Sequence, residues 1–417
     1  MRPLSHVAVC TIVSKGYLTF ARVLAHSLRR HHPELPLYVL VVDRTDDGFH
    51  AAGEPFEVLW LDDMAVPDLR RHRFRHSLQE VLVMAKPLLL SDLLDRGFGH
   101  ALLLDADMLV LDRLDPLLEA MRAGSPALTP HLLEPPSGPD RVERELNILL
   151  SGVYNGGVVG VSDTGPGRAF LDDWGKRLAT HCRCAVDQGM YYDQRWLDFA
   201  PSHHESLAVV RDPTVNVGHW ALPERRLRMQ GETLLVDDRP CRLFHFSGFE
   251  PWHPERVSRW SDRLRMSDLG PGAAIFKRYA ALLRDAGVER TRRFPYSFGR
   301  FDGGVEIPDV GRLVYRGLGD GIDRFGDPFA NGKGSFLRWL CEPVDGVREA
   351  GAVVNRLWDA LYHSRPELQA AFPDHLGAHR GPFLAWAREG GAAGHGVDRA
   401  FVDTAAPRRG LRELLRR

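Results

Sequence analysis

Short apolar runs alternate with segments of helical spacing over the N-terminal part of the chain. The runs at 6–13, 36–42 and 57–61 are typical of buried strands, and apolar residues between 17 and 31 recur at helical intervals. A strand, a helix and a second strand in this order predict a βαβ unit, because parallel strands need a crossover connection. The pattern therefore predicts an α/β fold with a mostly parallel, Rossmann-like sheet and helices on both faces.

A long apolar run at 101–111 contains two carboxylates, Asp105 and Asp107. An ionised carboxylate is costly in a dry core, so we expect the pair where the strand ends and meets solvent or a ligand. Residues i and i+2 of a strand point to the same side, and a turn at the strand end brings their oxygens around one ion. The pair therefore predicts half of a Mg²⁺ or Mn²⁺ site that keeps open positions for phosphate oxygens.

The same two carboxylates fit two alternative roles. Exposed loop carboxylates often cap the helix that follows them. Phosphatases of the haloacid dehalogenase type also carry an apolar strand that ends in Asp-x-Asp, and their first Asp is a nucleophile. In those enzymes the motif lies on the first strand, whereas strand and helix patterns precede Asp105 in this chain.

Polar residues also interrupt two later strand patterns. The run at 153–161 is entered through Asn155-Gly156-Gly157, and glycine in a strand marks close approach of a ligand or another backbone. His245 lies between two phenylalanines in an extended run at 242–248. It is either a buried core histidine or a further ligand for the ion predicted above, since imidazole is a common metal donor.

A helix predicted at 187–197 opens with Asp187 and Gln188. As the residue before a helix, Asp187 has an ordinary role as an N-cap. A short extended run is predicted at 213–217, between this helix and the run that contains His245.

Several polar side chains lie where ligands bind in parallel sheets, beyond the carboxyl ends of the strands. Thr11, Tyr17 and Asp43 follow the first two predicted strands, where Tyr17 either stacks on a base or packs on the sheet. Lys86 interrupts the apolar spacing of a helix predicted at 78–94, which favours an orientation toward a site. The cationic run at 68–76 is either a solvated face or a diphosphate-binding segment.

The length, charge and cysteine content of the chain indicate which broad class of protein it belongs to. The 417 residues suffice for a large core and more than one domain, and 54 lysines and arginines against 55 aspartates and glutamates exclude a globally basic, nucleic-acid-binding class. Five scattered cysteines, with no zinc-finger partner pair for His181, Cys182 and Cys184, indicate a reducing compartment. No apolar run approaches the ~20 residues of a membrane span, and no signal peptide precedes the first strand pattern. A soluble, cytoplasmic protein is expected.

The order of these pieces over residues 6–260 resembles the GT-A glycosyltransferases, most closely the retaining glycosyltransferase family 8 and its bacterial relatives. The motifs that carry the resemblance are the apolar run with Asp105-Ala106-Asp107, the strand with Tyr154-Asn155-Gly156-Gly157-Val158, the pair Asp187-Gln188 and the run His245-Phe246-Ser247-Gly248.

The resemblance implies a role for each motif. It implies that Asp105, Asp107 and His245 ligate Mn²⁺, or Mg²⁺, under the diphosphate of a nucleotide sugar. It implies that catalytic residues around the donor sugar and the acceptor are Asp187, Gln188 and Asn155. Together with the residues at the strand ends, the predicted donor-binding set is Thr11, Tyr17, Asp43, Lys86, Asp105 and Gly248.

One motif departs from the family. Family members follow the histidine with a glycine and then Lys-Pro-Trp, whose lysine holds the diphosphate. Here Glu250-Pro251-Trp252 follows Gly248, after a run that is one residue shorter. The diphosphate then needs a cation from elsewhere, and the candidates are Lys86 and the arginines of 70–75.

The resemblance stops near Gly270, and helical patterns dominate the remainder. We therefore predict a GT-A glycosyltransferase domain at 1–265 and a mainly helical accessory region at 266–417. The end of the chain, 407–417, is basic and has three leucines. It predicts either an ordinary surface tail or a peripheral contact with the anionic inner face of the membrane.

The predicted function is metal-dependent transfer of a sugar, with retention, from a nucleotide diphosphate sugar to an acceptor. The resemblance favours a UDP-sugar as donor, whereas the acceptor stays open among a glycan, a lipid-linked molecule, a small molecule and a protein. Two alternatives remain. One is a non-catalytic relative that binds nucleotide sugars or glycans, for which Glu250 is the best evidence. The other is the haloacid dehalogenase type of phosphatase.

Overall fold

The computed structural model describes residues 6–44, 49, 51–344, 353–398 and 401. Among these residues, none of the helices combines the length and the apolar character that a membrane span requires. The basic segment at 407–417, for which a membrane contact is one prediction, lies outside the described residues.

Strands and helices are numbered in chain order. The strands are β1 (Val7–Val13), β2 (Leu37–Val41), β3 (Glu57–Trp60), β4 (His100–Leu104), β5 (Met108–Val110), β6 (Ala127–Pro130), β7 (Tyr154–Ser162), β8 (Cys184–Ala185), β9 (Met190–Tyr191), β10 (Ala208–Val209), β11 (Leu227–Gln230), β12 (Thr233–Val236), β13 (Arg239–Pro240), β14 (Leu243–His245), β15 (Arg256–Ser258) and β16 (Ser261–Arg265). The helices are α1 (Leu18–His31), α2 (Leu69–Arg75), α3 (Leu78–Asp95), α4 (Asp115–Ala123), α5 (Arg141–Ser151), α6 (Gly165–His181), α7 (Gln194–Leu197), α8 (Ala200–His203), α9 (Ala274–Asp285), α10 (Val288–Thr291), α11 (Asp309–Gly317), α12 (Phe336–Leu340), α13 (Arg356–His363), α14 (Pro366–Ala371), α15 (Arg380–Trp386) and α16 (Ala392–Gly394).

The chain divides into two compact units. Unit 1 lies within residues 1–64 and 82–295, and unit 2 lies within residues 65–81 and 296–417. The predicted division at residue 265 differs from these bounds in two places. Residues 266–295 belong to unit 1, because α9 buries Phe276 and Tyr279 in its core. Residues 65–81 belong to unit 2, because Phe74 on α2 is buried among the aromatic residues of that unit.

A seven-stranded sheet forms the centre of unit 1, in the order β10-β6-β7-β4-β1-β2-β3. Four neighbouring pairs are parallel, and only β7 runs antiparallel to its neighbours β4 and β6. Strands covered on both faces are apolar along their length, as in β4, where Ala101 to Leu104 are all buried. The predicted α/β class, with a largely parallel sheet flanked by helices, is confirmed.

The apolar run at 101–111 forms two strands instead of the single strand that its pattern predicts. β4 belongs to the central sheet, the chain turns at residues 105–107, and β5 then pairs with β14 in a separate antiparallel ladder. The turn follows from the two carboxylates, which are costly to bury inside a sheet. The prediction that these carboxylates lie where the strand leaves the sheet is confirmed.

The prediction of a helix at 187–197 is wrong for most of these residues. A 3₁₀ turn covers Val186–Gln188, β9 follows, and only α7 is helical. The backbone of Gly189 and Tyr192 takes left-handed angles, with φ of 70° and 47°, and such residues interrupt an α-helix. The extended run at 213–217 is likewise interrupted, since Asn216 has a φ of 57°.

Unit 2 is mainly helical, as predicted for the C-terminal region, and its core is aromatic. Phe74 makes edge contacts with the rings of Tyr315, Phe329 and Phe336 at centroid distances of 4.8, 5.0 and 5.5 Å. The buried guanidinium of Arg312 donates hydrogen bonds to the backbone carbonyls of 73, 74 and 76 at 2.6 to 3.0 Å. These bonds satisfy the carbonyl groups at the end of α2, which have no partner within the helix.

Candidate metal centre

The turn after β4 and the end of β14 bring three potential metal ligands together. Opposite residues in the β5–β14 ladder include Met108 and His245, and the N–H of Phe246 donates to the carbonyl oxygen of Asp107 at 2.9 Å. One oxygen or nitrogen from each of Asp105, Asp107 and His245 lies within 4.8 Å of the others. We call these three residues the central cluster. The convergence predicted from the sequence is therefore present.

Hydrogen bonding determines which nitrogen of His245 faces the carboxylates. Nδ1 of His245 lies 3.0 Å from the amide oxygen of Asn216, and the amide nitrogen of Asn216 donates to Thr129 at 2.8 Å. An amide oxygen can only accept, so Nδ1 carries the proton. Nε2 then faces the Asp107 carboxylate at 3.1 Å. If the imidazole is neutral, the lone pair of Nε2 faces a lone pair of the Asp107 oxygen and the two repel each other. A proton or a metal ion between the two atoms removes the repulsion.

A chain of neutral hydrogen bonds holds Asn216 in turn. The amide oxygen of Asn155 accepts from Asn216 at 3.1 Å and from the N–H of Gly157 at 3.0 Å. The amide nitrogen of Asn155 donates to Nε2 of His131 and to the side-chain oxygen of Gln194, at 3.0 and 3.1 Å. Each amide orientation follows from its partners, so this buried network fixes the His245 ring in one position.

Lys86 on α3 supplies positive charge next to the central cluster. Its ammonium donates to the Gly156 carbonyl at 2.8 Å and to the Asp193 carboxylate at 3.0 Å, and it lies 3.5 Å from Asp105. Burial alone would lower the pKa of Lys86, but the charges of Asp105 and Asp193 raise it above its ordinary value. Lys86 therefore stays protonated and orients both carboxylates.

The two carboxylates of the cluster differ electrostatically. Burial raises the pKa of Asp105, and Lys86 opposes that effect. Burial would also raise the pKa of Asp107, but the charge and hydrogen bond of His245 lower it instead. Both side chains still reach solvent, with exposed fractions of 37% for Asp105 and 25% for Asp107, so an incoming ion or phosphate has access to them.

The glycines of β7 leave the room that this arrangement needs. A Cβ atom on Gly157 would lie 2.7 Å from an Asp105 oxygen and 2.8 Å from Cε1 of His245. A Cβ atom on Gly156 would lie 2.3 Å from an Asp193 oxygen. Real Cβ atoms do not approach oxygens so closely. Glycine at these two positions therefore lets the neighbouring side chains come close to the backbone of β7, as the Asn-Gly-Gly sequence predicts.

A pocket of about 530 Å³ adjoins the network. Asn155 and Gln194 line it, and Trp220, which also lines it, contacts the His245 ring edge-on at a centroid distance of 5.2 Å. The other aromatic rings of the lining belong to Tyr191 and Trp260. The volume and the mixture of aromatic and amide groups are typical of small-molecule sites.

The histidines and arginines that line this pocket are uncharged or paired. Burial lowers the pKa of His131 to about 4 and that of His219 to about 3, so both are neutral near pH 7. Arg144 forms an ion pair with Glu224, and Arg263 pairs with Asp140 at 2.7 Å. The histidines and arginines of the lining therefore offer little free positive charge, and the lining also contains the exposed carboxylate of Asp262.

The Asp-Gln pair chosen from the sequence lies at the edge of the pocket, because its neighbour Val186 lines the pocket. Asp187 and Gln188 are exposed in a 3₁₀ turn, and Gln188 accepts a hydrogen bond from Arg183 at 2.9 Å. A second Asp-Gln pair, Asp193 and Gln194, follows six positions later. The Asp193 carboxylate binds Lys86, and the Gln194 oxygen accepts from the Gly156 N–H at 2.9 Å.

The residues predicted to hold the donor lie in different environments. Thr11 is buried within β1, and Asp43 is buried where it accepts the backbone N–H of Lys15 at 2.7 Å. Tyr17 is 40% exposed and stacks on Phe20 at 4.7 Å. Partial burial raises the pKa of Tyr17, the charge of Arg259 lowers it, and the charges of Asp107 and Glu250 raise it further.

The segment after His245 brings an unpredicted cation into this area. Gly248 has a φ of 72°, and a Cβ atom there would lie 2.4 Å from Trp260. The carbonyl oxygen of Gly248 accepts the N–H of Arg259 at 2.8 Å. The Arg259 side chain lies over Trp260 at 4.5 Å and 3.8 Å from the Glu250 carboxylate.

The cationic run at 70–75 forms α2 in unit 2. Within that unit, Arg70 binds Asp327 at 2.8 Å and Arg71 binds Asp323 at 2.7 Å. These arginines therefore already have carboxylate partners.

Comparisons with known proteins give distant similarities. No protein-family model matches the chain. Two uncharacterized proteins of Bacillus subtilis (strain 168), YfnF and YfnD, are each 24% identical to it over 250 residues. The alignments cover 58% of this chain and 81% of YfnF, and 57% of this chain and 76% of YfnD.

Among solved structures, the chain is similar to the galactosyltransferase LgtC in complex with donor and acceptor sugar analogues. The identity is 18%, the TM-score is 0.42, and the match covers 66% of this chain and 95% of LgtC. The apo-form glycosyltransferase GlyE of Streptococcus pneumoniae TIGR4 matches with 13% identity and a TM-score of 0.40, over 70% of this chain and 66% of GlyE. These values are too low to assign an activity, which has to be inferred from the site itself.

Proposed function

We propose that the chain is a metal-dependent glycosyltransferase that moves a sugar from a nucleotide diphosphate sugar to an acceptor. One observation carries the proposal. Two carboxylates at the end of a central parallel strand and an imidazole 138 positions after the second of them converge on one point beside a pocket. We further propose a UDP-sugar as donor and retention of configuration, which rest on the resemblance of the motifs alone.

The residues of the central cluster fit a divalent ion of the Mn²⁺ class. Two carboxylate oxygens and one imidazole nitrogen are suitable donors for Mn²⁺, and the Nε2 atom of His245 is held toward Asp107, where a bound ion would take the place of a proton between them. A divalent ion bound there would neutralise charge on the diphosphate leaving group. The exposed fractions of Asp105 and Asp107 leave coordination positions open to phosphate oxygens.

Asp193 and Gln194 are the residues that we propose next to the sugar, in place of Asp187 and Gln188. Asp193 is buried against Lys86, and Gln194 lines the pocket. A carboxylate or amide oxygen stabilises the positive charge that develops on the anomeric carbon as the glycosidic bond breaks. Asn155 connects this pair to His245 through Asn216, so we propose that it positions the site and does not react itself.

Arg259 is the cation that we propose for the diphosphate. Lys86 already binds two carboxylates and a carbonyl, so it has little capacity left for a phosphate. Arg259 is 42% exposed and lies beside the segment that follows His245, since its backbone N–H donates to the carbonyl oxygen of Gly248. Its contact with Glu250 is long, at 3.8 Å, so the guanidinium can exchange this partner for phosphate oxygens.

The pocket is the proposed site for the sugar and acceptor. Its aromatic rings offer faces for sugar rings, and its amides offer donors and acceptors for hydroxyl groups. Because its arginines are paired, its histidines are neutral and Asp262 adds a carboxylate, we propose that the bound part of the acceptor carries no negative charge. A cytoplasmic location, and a membrane contact through 407–417, stay predictions.

The proposal is tested by thermal shift and hydrolysis with a panel of nucleotide sugars, each with and without Mn²⁺. A ligand that binds only the folded chain raises its apparent stability. We expect one donor to raise the melting temperature only when Mn²⁺ is present, and the same donor to be hydrolysed slowly without acceptor. Mn²⁺-dependent binding without turnover on any acceptor would favour the non-catalytic alternative. Release of phosphate from a simple phosphomonoester would favour the phosphatase, and no shift with any donor would contradict the proposal.

A further inference from the structure

Unit 2 contains a second group of potential metal ligands, at the C-terminal end of α13. Asp359 and His363 lie four residues apart on this helix and therefore on one of its faces. His375 comes from the turn between α14 and α15. One oxygen or nitrogen from each of the three residues lies within 4.8 Å of the others. We call Asp359, His363 and His375 the α13 cluster.

Packing fixes the ring of His375 in this cluster. The ring stacks on Tyr362 at a centroid distance of 3.6 Å and an interplanar angle of 16°. Phe383 contacts the ring edge-on, at 5.8 Å and 85°. Only 7% of the His375 side chain is exposed. The nitrogen that faces Asp359 is therefore held in place by apolar contacts before any ion is bound.

The distances within the cluster suit a tetrahedral ion. Nε2 of His375 and Nε2 of His363 lie 2.8 and 3.5 Å from the same oxygen of Asp359. Metal–ligand bonds of about 2.0 to 2.1 Å in a tetrahedral zinc site separate the ligand atoms by about 3.3 Å. The two observed distances lie on either side of that value, so small side-chain rotations bring the donors to it.

We propose that the α13 cluster is a second metal site and that it takes Zn²⁺. Two imidazoles and one carboxylate are ligands that Zn²⁺ prefers, whereas Mg²⁺ and Ca²⁺ prefer oxygen ligands alone. His363 is 65% exposed, so the fourth position opens to solvent and is taken by water. The ion ties the end of α13 to the turn that carries His375. This proposal does not depend on the proposed transferase activity.

The test measures Zn²⁺ binding by the metal-stripped full chain in competition with a chromophoric chelator. Because Zn²⁺ also suits the central cluster, Asp107→Asn is the background for the measurement. We expect this background to bind one equivalent of Zn²⁺. Adding His363→Ala, which removes an exposed side chain and leaves the core intact, is expected to weaken that binding by roughly tenfold or more. Adding Asp359→Asn is expected to have the same effect.

His253→Ala in the same background is the control, because His253 is 47% exposed and belongs to neither cluster. It is expected to leave Zn²⁺ binding unchanged. Substitution with Co²⁺ gives a second readout, since tetrahedral Co²⁺ absorbs visible light far more strongly than octahedral Co²⁺. We expect the absorption in the background and its loss with His363→Ala. Zn²⁺ affinity and Co²⁺ absorption that are the same with and without His363, or no bound Zn²⁺ in the background, would overturn the proposal.

Discussion

The central cluster and the α13 cluster use the same residue types in two different ways. In each, an imidazole nitrogen lies close to an aspartate oxygen, at 3.1 Å in the first and 2.8 Å in the second. In the central cluster, pairing of the distant strands β5 and β14 brings the residues together. In the α13 cluster, two of the three residues lie one helical turn apart on the same helix. A buried network of amides and an adjoining pocket accompany the central cluster. The two clusters therefore share their ligand types and differ in how the fold assembles and surrounds them.

Asp107→Asn is expected to have the largest effect. It removes a ligand and the negative charge that faces Nε2 of His245. Mn²⁺-dependent hydrolysis of the donor should fall roughly a hundredfold to a thousandfold, since fixed charges at the leaving group account for rate factors of this size. Steady-state rates at saturating donor measure this loss.

Asp112→Asn, at a partly exposed site shortly after β5, is the matched control and should retain full activity. Zn²⁺ binding at the α13 cluster should be the same in both variants. An active Asp107→Asn enzyme would remove the distinction between the two clusters.

Gly157→Ala tests whether the room beside the central cluster is essential. The added Cβ atom would meet Asp105 and His245 at less than 3 Å, so both ligands must move. We expect Mn²⁺ affinity, measured from the Mn²⁺ dependence of donor hydrolysis, to fall roughly ten- to a hundredfold.

Gly165→Ala is the matched glycine, because an added Cβ atom there has no neighbour within 4 Å. It should leave Mn²⁺ affinity unchanged. Equal affinities in the two glycine variants would show that the close approach at Gly157 does not matter for binding.

Acid should destabilise the two units in different pH ranges. Burial lowers the pKa of His131 to about 4 from 6.5, so the unfolded chain takes up this proton first. The stabilisation is complete above pH 6.5 and is lost as the pH falls toward 4. Burial would raise the pKa of Glu80, but His76 and Arg316 lower it to about 2 from 4.5, and its contribution is lost only between these values.

Urea unfolding at stepped pH checks this difference. Between pH 7.5 and 5, we expect the unfolding free energy of His131→Gln to fall by about 2 kcal/mol less than that of the natural chain. Glu80→Gln should match the natural chain in this range and deviate below pH 4. His253→Gln, at an exposed histidine, is the control. If all four proteins lose stability in parallel, the buried state of His131 does not govern unit 1.

Arg259→Ala is expected to have the smallest effect of the four. Loss of a charge-assisted contact with the diphosphate should raise KM for the donor by about tenfold and change kcat by less than about threefold. Arg256→Ala, at an exposed arginine of the same hairpin, should change neither constant. A KM equal to that of the natural chain would contradict the role of Arg259 and favour Lys86 as the residue that binds the diphosphate.

The sequence predicted several strands of the central sheet and singled out Asp105, Asp107 and His245 because both leave local signals. Apolar runs mark the strands, and carboxylates within such a run mark a place where burial is too costly. His245 was identifiable because it interrupts two phenylalanines. The distance between His245 and Asp107 was not predictable from local patterns, since that distance depends on the pairing of β5 with β14.

The choice between two Asp-Gln pairs was beyond local reasoning. Both pairs lie in a polar stretch of short elements that has no clear periodicity. What distinguishes Asp193 is its contact with Lys86 across 107 positions, together with the missing Cβ atom of Gly156. Asn216 offered a weak signal, because asparagine tolerates the left-handed backbone better than most residues. The assignment of residues 65–81 to unit 2 likewise depends on distant packing partners.

The pairing of Val217 with Phe244 has a consequence for how such a protein can diversify. The N–H of Val217 donates to the carbonyl of Leu243 at 3.0 Å, and the N–H of His245 donates to the carbonyl of Val217 at 2.9 Å. The chain thus departs at residue 217 and returns at 243 to the same backbone partners. Residues 218–242 therefore form an inserted segment whose two ends are joined by hydrogen bonds. This segment includes Trp220 in the pocket wall and the β11–β13 sheet. Insertions or deletions within this segment would therefore leave the backbone hydrogen bonds that hold the His245 imidazole in place.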